Sequence, residues 1–128
     1  EHEVDVELLP FIEDMAEAYA WADLVICRAG ALTVAELCAV GVPALFVPYP
    51  GAVDDHQTAN ARPMADAGAG LVIPESELTP EHLAGLLREW LQSRAQLQQR
   101  AAKARALSVP DSLKRITQIC LEQAGAVA

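Results

Sequence analysis

Between Ala29 and Glu36 a small-residue turn, Ala29-Gly30-Ala31, leads into Leu32-Thr33-Val34-Ala35-Glu36. The run before it, Leu24-Val25-Ile26-Cys27, is continuously apolar and reads as a buried parallel strand with Arg28 as its polar exit. A strand entering a helix through such a turn aims the helix's first free N–H groups at the carboxyl edge of the sheet. Those donors, with the positive end of the helix dipole, suit a phosphate. Glu36, about one turn further on, is placed to accept hydrogen bonds from a sugar diol. Together these residues point to a nucleotide-sugar site. The same kind of turn also occurs in α/β units that bind nothing, and Glu36 fits a solvated helix face equally well. Neither a three-glycine dinucleotide motif nor a Gly-Lys-Ser/Thr phosphate loop is present.

A second group of candidates follows the next apolar run. Pro48-Tyr49-Pro50-Gly51-Ala52-Val53-Asp54-Asp55-His56 is a proline-punctuated loop where strand carboxyl ends gather, the usual ligand edge of an α/β sheet. Gln57 and Asn60 come next, and amide side chains both donate to and accept from neutral hydroxyls. Asp54-Asp55 has the makings of a cation site, although adjacent loop carboxylates are more often simply solvated. His56 fits either a proton shuttle or a loop-positioning residue. Arg28 fits a counter-charge for a diphosphate, or a structural pair with Asp23, Glu36 or a carboxylate of a neighbouring domain.

The elements that must position these residues alternate along the chain. Val4–Leu9 reads as an edge strand ended by Pro10, and Glu13–Trp21 as a short helix with Met15, Ala18, Tyr19 and Ala22 inward. Leu24–Cys27 is the next strand and Leu32–Val40 the next helix, stopped by Gly41 and Pro43. Ala44–Val47 is a strand, Gln57–Ala67 a helix ended by Gly68, and Leu71–Ile73 a strand. Thr79-Pro80 opens a further helix, Ser93 and Gln96 resemble a capping box, and Asp111 caps a last helix to about Ala124. His82, Trp90, Arg94, Arg100, Lys103 and Arg105 fall at spacings of packing and solvated helix faces and are assigned to structure. The alternation predicts an α/β doubly wound parallel sheet with right-handed crossovers.

With 128 residues the chain is one domain, long enough for a core but short for a self-sufficient two-substrate enzyme. Eighteen acidic residues against nine basic ones give a formal charge of −9, which argues against nucleic acid as a partner. No apolar run approaches the roughly 20 residues of a spanning helix. No signal peptide is visible, and a chain that begins with Glu1 reads as a piece of something longer. Cys27, Cys38 and Cys120 form no Cys-x-x-Cys and each sits in an apolar segment. They read as three reduced, buried thiols in a cytoplasmic protein, with no metal role.

Taken in order, Phe11-Ile12-Glu13-Asp14-Met15, Ala18-Tyr19-Ala20-Trp21-Ala22-Asp23, Cys27-Arg28-Ala29-Gly30-Ala31-Leu32-Thr33 and Asp55-His56-Gln57-x-x-Asn60-Ala61 closely resemble one family. It is the carboxyl-terminal domain of the bacterial MurG family, and the resemblance runs from about Glu1 to Ala124. The resemblance implies a Rossmann-like half of a GT-B glycosyltransferase, with residues 1–128 as the donor-binding domain and the acceptor-binding amino-terminal domain outside the chain. It implies transfer of N-acetylglucosamine, with inversion, from UDP-N-acetylglucosamine to the 4-hydroxyl of lipid I. The product is lipid II for peptidoglycan, made by a peripheral enzyme on the cytoplasmic face of the inner membrane; the segment alone is expected to be soluble and inactive.

Carried over motif by motif, Ile12 meets the uracil edge and Phe11 helps to wall that pocket. Ala31, Leu32 and Thr33 cradle the diphosphate, Glu36 binds the ribose hydroxyls, and Gln57 with Asn60 reaches the transferred sugar. Arg28, Gly30 and His56 border the site. No cofactor or metal is implied, and the catalytic base is expected in the absent domain. Gly51 departs from the family, whose members often carry a bulkier residue there. Three rival readings stand beside this one: a UDP-sugar-binding subunit of another or a split GT-B enzyme, a UDP-sugar epimerase, and a ligand-free flavodoxin-like interaction domain.

Overall fold

The computed structural model describes residues 5–125. Its frame is three short parallel strands, β1 (Val25–Cys27), β2 (Ala44–Phe46) and β3 (Gly70–Val72), in the order β1-β2-β3. Cys27 pairs with Phe46, and Phe46 with Val72, so the carboxyl ends of all three strands align along one edge. Every residue of β2 is buried, which explains its unbroken apolar sequence. The pleat sends Ala44 and Phe46 into one layer and Leu45 into the other. Gly70 is required by this pairing, because a Cβ there would lie 2.9 Å from Phe46 Cε2 and 3.2 Å from the Ala44 carbonyl oxygen.

Helices cover both layers. Against Phe46 pack Val34, Leu37 and Cys38 of α2 (Ala31–Val40), Ala61 and Met64 of α3 (His56–Asp66), and Tyr19 of α1 (Met15–Trp21). Ala104 of α5 (Arg94–Ala106) closes that cluster. On the other side Leu45 and Ile73 meet Trp90, Leu83, Leu86 and Leu87 of α4 (Pro80–Leu91). Arg100 stacks over Trp90 at 3.9 Å and donates to the Gly68 carbonyl at 3.1 Å, so α5 closes the edge of that layer. The chain is thus α/β with a parallel sheet between two helical layers, as its alternation predicts.

The expected boundaries hold to within two residues for the helices and strands from α1 to β3, and α4 and α5 start where their caps place them. Gly41 ends α2 in the left-handed region, at φ 83°, and donates its N–H to the Leu37 carbonyl at 2.8 Å. Thr79 caps α4 by accepting from His82 N–H at 3.1 Å, and Ser93 caps α5 by accepting from Gln96 N–H at 3.4 Å. Of the residues assigned to structure, His82 Nδ1 lies 2.8 Å from the Glu77 carbonyl oxygen and Arg94 pairs with Asp23 at 3.0 Å, whereas Arg105 lines the groove beside α2.

Three expectations are corrected. Residues 5–9 form no strand and are exposed, because a strand needs a ladder partner and none of the described residues supplies one; Val4 lies outside the described residues. Asp111 stands at the N-cap of α6 (Ser112–Gln123), yet its side chain makes no capping hydrogen bond. All three cysteines are free thiols, but only Cys38 is buried; Cys27 is half-buried and Cys120 is exposed on α6.

Candidate functional site

The β1–α2 turn is built where backbone pairing gives out. The last ladder bond runs from Val47 N–H to the Cys27 carbonyl at 2.8 Å, and beyond it the side chains take over. Arg28 Nη1 donates to the carbonyls of Val47 and Pro48, each at 3.2 Å, and its guanidinium pairs with Glu75. It also lies 5.7 Å from the centre of the Tyr49 ring. Arg28 therefore has a carboxylate partner, and that partner is Glu75, not Asp23 or Glu36. Ala29 is wholly buried. Its N–H donates to Gln57 Oε1 at 3.2 Å, and its carbonyl accepts from Asn60 Nδ2 at 3.0 Å.

Gly30 is the N-cap of α2, extended at φ −62° and ψ 144°, and no side chain caps the helix. Helix geometry leaves the N–H groups of Ala31, Leu32 and Thr33 without intrahelical partners. No acidic residue occupies the first turn, so the positive end of the dipole is uncompensated there. A Cβ on Gly30 would meet only Thr33 Oγ1, at 3.5 Å, an ordinary contact. The backbone does not demand glycine at this position; its absent side chain leaves the helix end open.

Glu36 is exposed on α2, with its carboxylate close to the phenol of the buried Tyr19 of α1. Burial first, and the Glu36 charge second, push the Tyr19 phenol above its ordinary range. Burial likewise pushes the Cys27 thiol up to about 11 and raises that of Cys38. These are inert thiols rather than nucleophiles.

A groove of about 760 Å³ opens beside the helix end, within the range of small-molecule sites. Ala31, Leu32 and Glu36 line one side, Asn60 and Pro63 another, and the Leu107–Pro110 connection closes it. Four of the expected site residues thus share one groove: Ala31, Leu32, Glu36 and Asn60. Thr33 and Gly30 belong to the same turn without lining the groove, and Gln57 reaches the turn from α3. Phe11 and Ile12 lie exposed in the segment before α1 and do not line it. His56 is the first residue of α3 and exposed; it follows Asp54 and Asp55, both in the left-handed region at φ 54° and 50°. Among the described residues, no three His, Cys, Asp or Glu side chains gather as a metal cage.

Two contributions escape a sequence reading. Tyr19 is legible as an inward residue but not as the partner of Glu36. The Leu107–Pro110 wall belongs to a region assigned to structure, and its one signal is the proline break between α5 and α6. A Cβ at Gly51 would stand 2.8 Å from Cε1 of the exposed Tyr49 ring, so a bulkier residue there would shift only that ring.

Residues 1–116 match the glycosyltransferase family 28 C-terminal domain. The chain belongs to that family. Over 121 residues it is 60% identical to the UDP-N-acetylglucosamine–N-acetylmuramyl-(pentapeptide) pyrophosphoryl-undecaprenol N-acetylglucosamine transferase of Alkalilimnicola ehrlichii. The match covers 94% of this chain and 34% of that protein. The enzyme of the same name from Marinobacter nauticus is 54% identical, over 94% of this chain and 33% of its own length. Among solved structures, MurG of Acinetobacter baumannii superimposes with a TM-score of 0.83 at 51% identity, covering 88% of this chain and 32% of that one. Glycosyltransferase VinC in complex with dTDP superimposes at 0.54 with 26% identity, over 68% of this chain and 21% of VinC. The family chain described here therefore spans about a third of the length of the curated relatives it matches.

Proposed function

We propose that this chain is the donor-binding part of an inverting N-acetylglucosaminyltransferase. The donor is UDP-N-acetylglucosamine and the acceptor is the 4-hydroxyl of lipid I, giving lipid II for peptidoglycan. The observation that carries the reading is the open, uncapped N-terminus of α2 with Glu36 one turn behind it, beside a groove of nucleotide size. Two relatives named for this transfer share more than half of the chain's residues, and the more distant VinC was solved with a nucleoside diphosphate.

In this reading the Ala31, Leu32 and Thr33 N–H groups and the Thr33 hydroxyl take the diphosphate. They hold the charge that develops on UDP as the glycosidic bond breaks. Preorganised donors of this kind contribute about 3–4 kcal/mol each to a transition state. No metal is needed for that task, and no cofactor takes part. Glu36, beside Tyr19, accepts from the ribose hydroxyls; Ile12 and Phe11 form the uracil pocket. Gln57 and Asn60 face the transferred sugar, with Arg28, Gly30 and His56 at the border. Residues 1–128 act with an acceptor-binding domain that contributes the base, on the cytoplasmic face of the inner membrane. Among the described residues, no helix is long and apolar enough to cross a membrane, and in this reading the attachment is peripheral.

The test is transfer by the full-length protein from labelled UDP-N-acetylglucosamine to a lipid I analogue. The reading predicts an acceptor-dependent product with a β-linkage by NMR. Interconversion of the free nucleotide sugar without acceptor would instead establish an epimerase.

A further inference from the structure

Gln57 and Asn60 sit one helical turn apart on α3, and both reach back 28 and 31 residues to a single buried residue, Ala29. We infer that they are positioning residues for the diphosphate turn: between them they hold both peptide groups that flank the Ala29 Cα, and so set where the α2 N-terminus points. The inference rests on the donor-site reading and deepens it.

Ala29 is wholly buried, so water cannot replace a lost partner on either group. Backbone pairing cannot replace one either, because the β1–β2 register ends at Cys27 and Phe46. Gln57 carries a second load. Its Oε1 also accepts from the Tyr49 N–H at 2.9 Å, so one oxygen joins the end of β1 to the start of the 48–55 loop. Two N–H donors at that oxygen fix the amide orientation and use both lone pairs, which leaves Nε2 as a donor only. A ligand approaching Gln57 is thus offered N–H groups and no acceptor, a preference for hydroxyl or carbonyl oxygens. Gln57 then does two jobs with its two ends: one holds the turn, the other meets the sugar.

Loss of the bracket lets the Ala29 peptides turn and moves the first N–H groups of α2 away from the diphosphate. The effect must appear with a ligand that has a diphosphate but no sugar. The experiment titrates UDP and uridine into the full-length protein and into Gln57→Met and Asn60→Leu, which keep volume without a polar atom. Gln57→Ala and Asn60→Ala serve as a second pair wherever one of these fails to fold. The bracket predicts that UDP binding weakens about tenfold or more in each variant, while uridine binding stays within twofold. Unchanged UDP binding with loss confined to UDP-N-acetylglucosamine would overturn the inference, leaving these amides as sugar contacts only. Equal weakening of UDP and uridine would also overturn it, as a general loss of structure. Failure of the unaltered protein to bind UDP would instead strike the donor-site reading beneath it.

Discussion

Helices α2 and α6 have nearly the same length and opposite fates. α2 buries Val34, Leu37 and Cys38 between the sheet and its neighbours α1, α3 and α5. α6 carries a cleaner apolar stripe, Leu113, Ile116, Ile119 and Leu121, and buries none of it among the described residues. Amphipathic pattern is therefore a poor guide to which helix bears the core here. Contacts with the sheet and three helices hold the buried face of α2 whatever its pattern, while the bonds from Gln57 and Asn60 to Ala29 hold the turn that leads into it.

The largest effect should come from truncating one leucine in each helix. Leu37→Ala, at a fully buried site, should cost about 2–5 kcal/mol in denaturant unfolding. Leu113→Ala, at a site 77% exposed, should stay within about 0.5 kcal/mol. Equal losses would break the contrast. The end of α2 gives the next effect: Gly41→Ala places a Cβ at positive φ, 3.1 Å from Arg105 Cβ, and should cost about 1–2 kcal/mol. The same change at Gly125, which has left-handed φ but open surroundings past α6, should be milder.

Tyr19 sharpens the comparison at its α1 contact. Tyr19→Phe removes the phenol that lies close to Glu36 and should cost about 1 kcal/mol. The phenol is raised in the folded chain, so the unfolded chain loses that proton first as pH rises. The contribution is present below the ordinary tyrosine range and is lost as pH climbs through the raised folded value. Unfolding curves across that alkaline window should fall more steeply for the parent than for Tyr19→Phe. The smallest effect on stability, and the simplest readout, is thiol labelling at pH 8. Exposed Cys120 on α6 should react first, and Cys38 on α2 only as the core opens. Cys27, held at about 11, has only ~0.1% thiolate at that pH and should also lag.

What could be read in advance divides along the same line. Local signals translated well: Gly41 and Pro43 stop α2, Thr79-Pro80 starts α4, and the unbroken run from Ala44 marks the central strand. The Gly30 turn with Glu36 behind it is a local pattern too, and it lies where it was expected. Features that depend on distant residues were not legible. Residues 5–9 alternate like a strand, yet pairing is a property of a partner, not of the pattern. Cys120 has apolar neighbours, but on a helix whose stripe is uncovered those neighbours do not bury it. The bonds from Gln57 and Asn60 to Ala29, and the approach of Tyr19 to Glu36, join segments that only the fold brings together.

The most direct test of the central claim is calorimetric titration of UDP-N-acetylglucosamine and UDP-glucose into the full-length protein and its Glu36→Ala variant. The account predicts saturable binding that prefers the N-acetyl sugar and weakens about tenfold or more in the variant, the scale of one lost hydrogen bond to a charged group. Binding by the variant equal to that of the parent would remove Glu36 from the site. No binding of either nucleotide by a folded parent would contradict the assignment of the α2 N-terminus as a donor site.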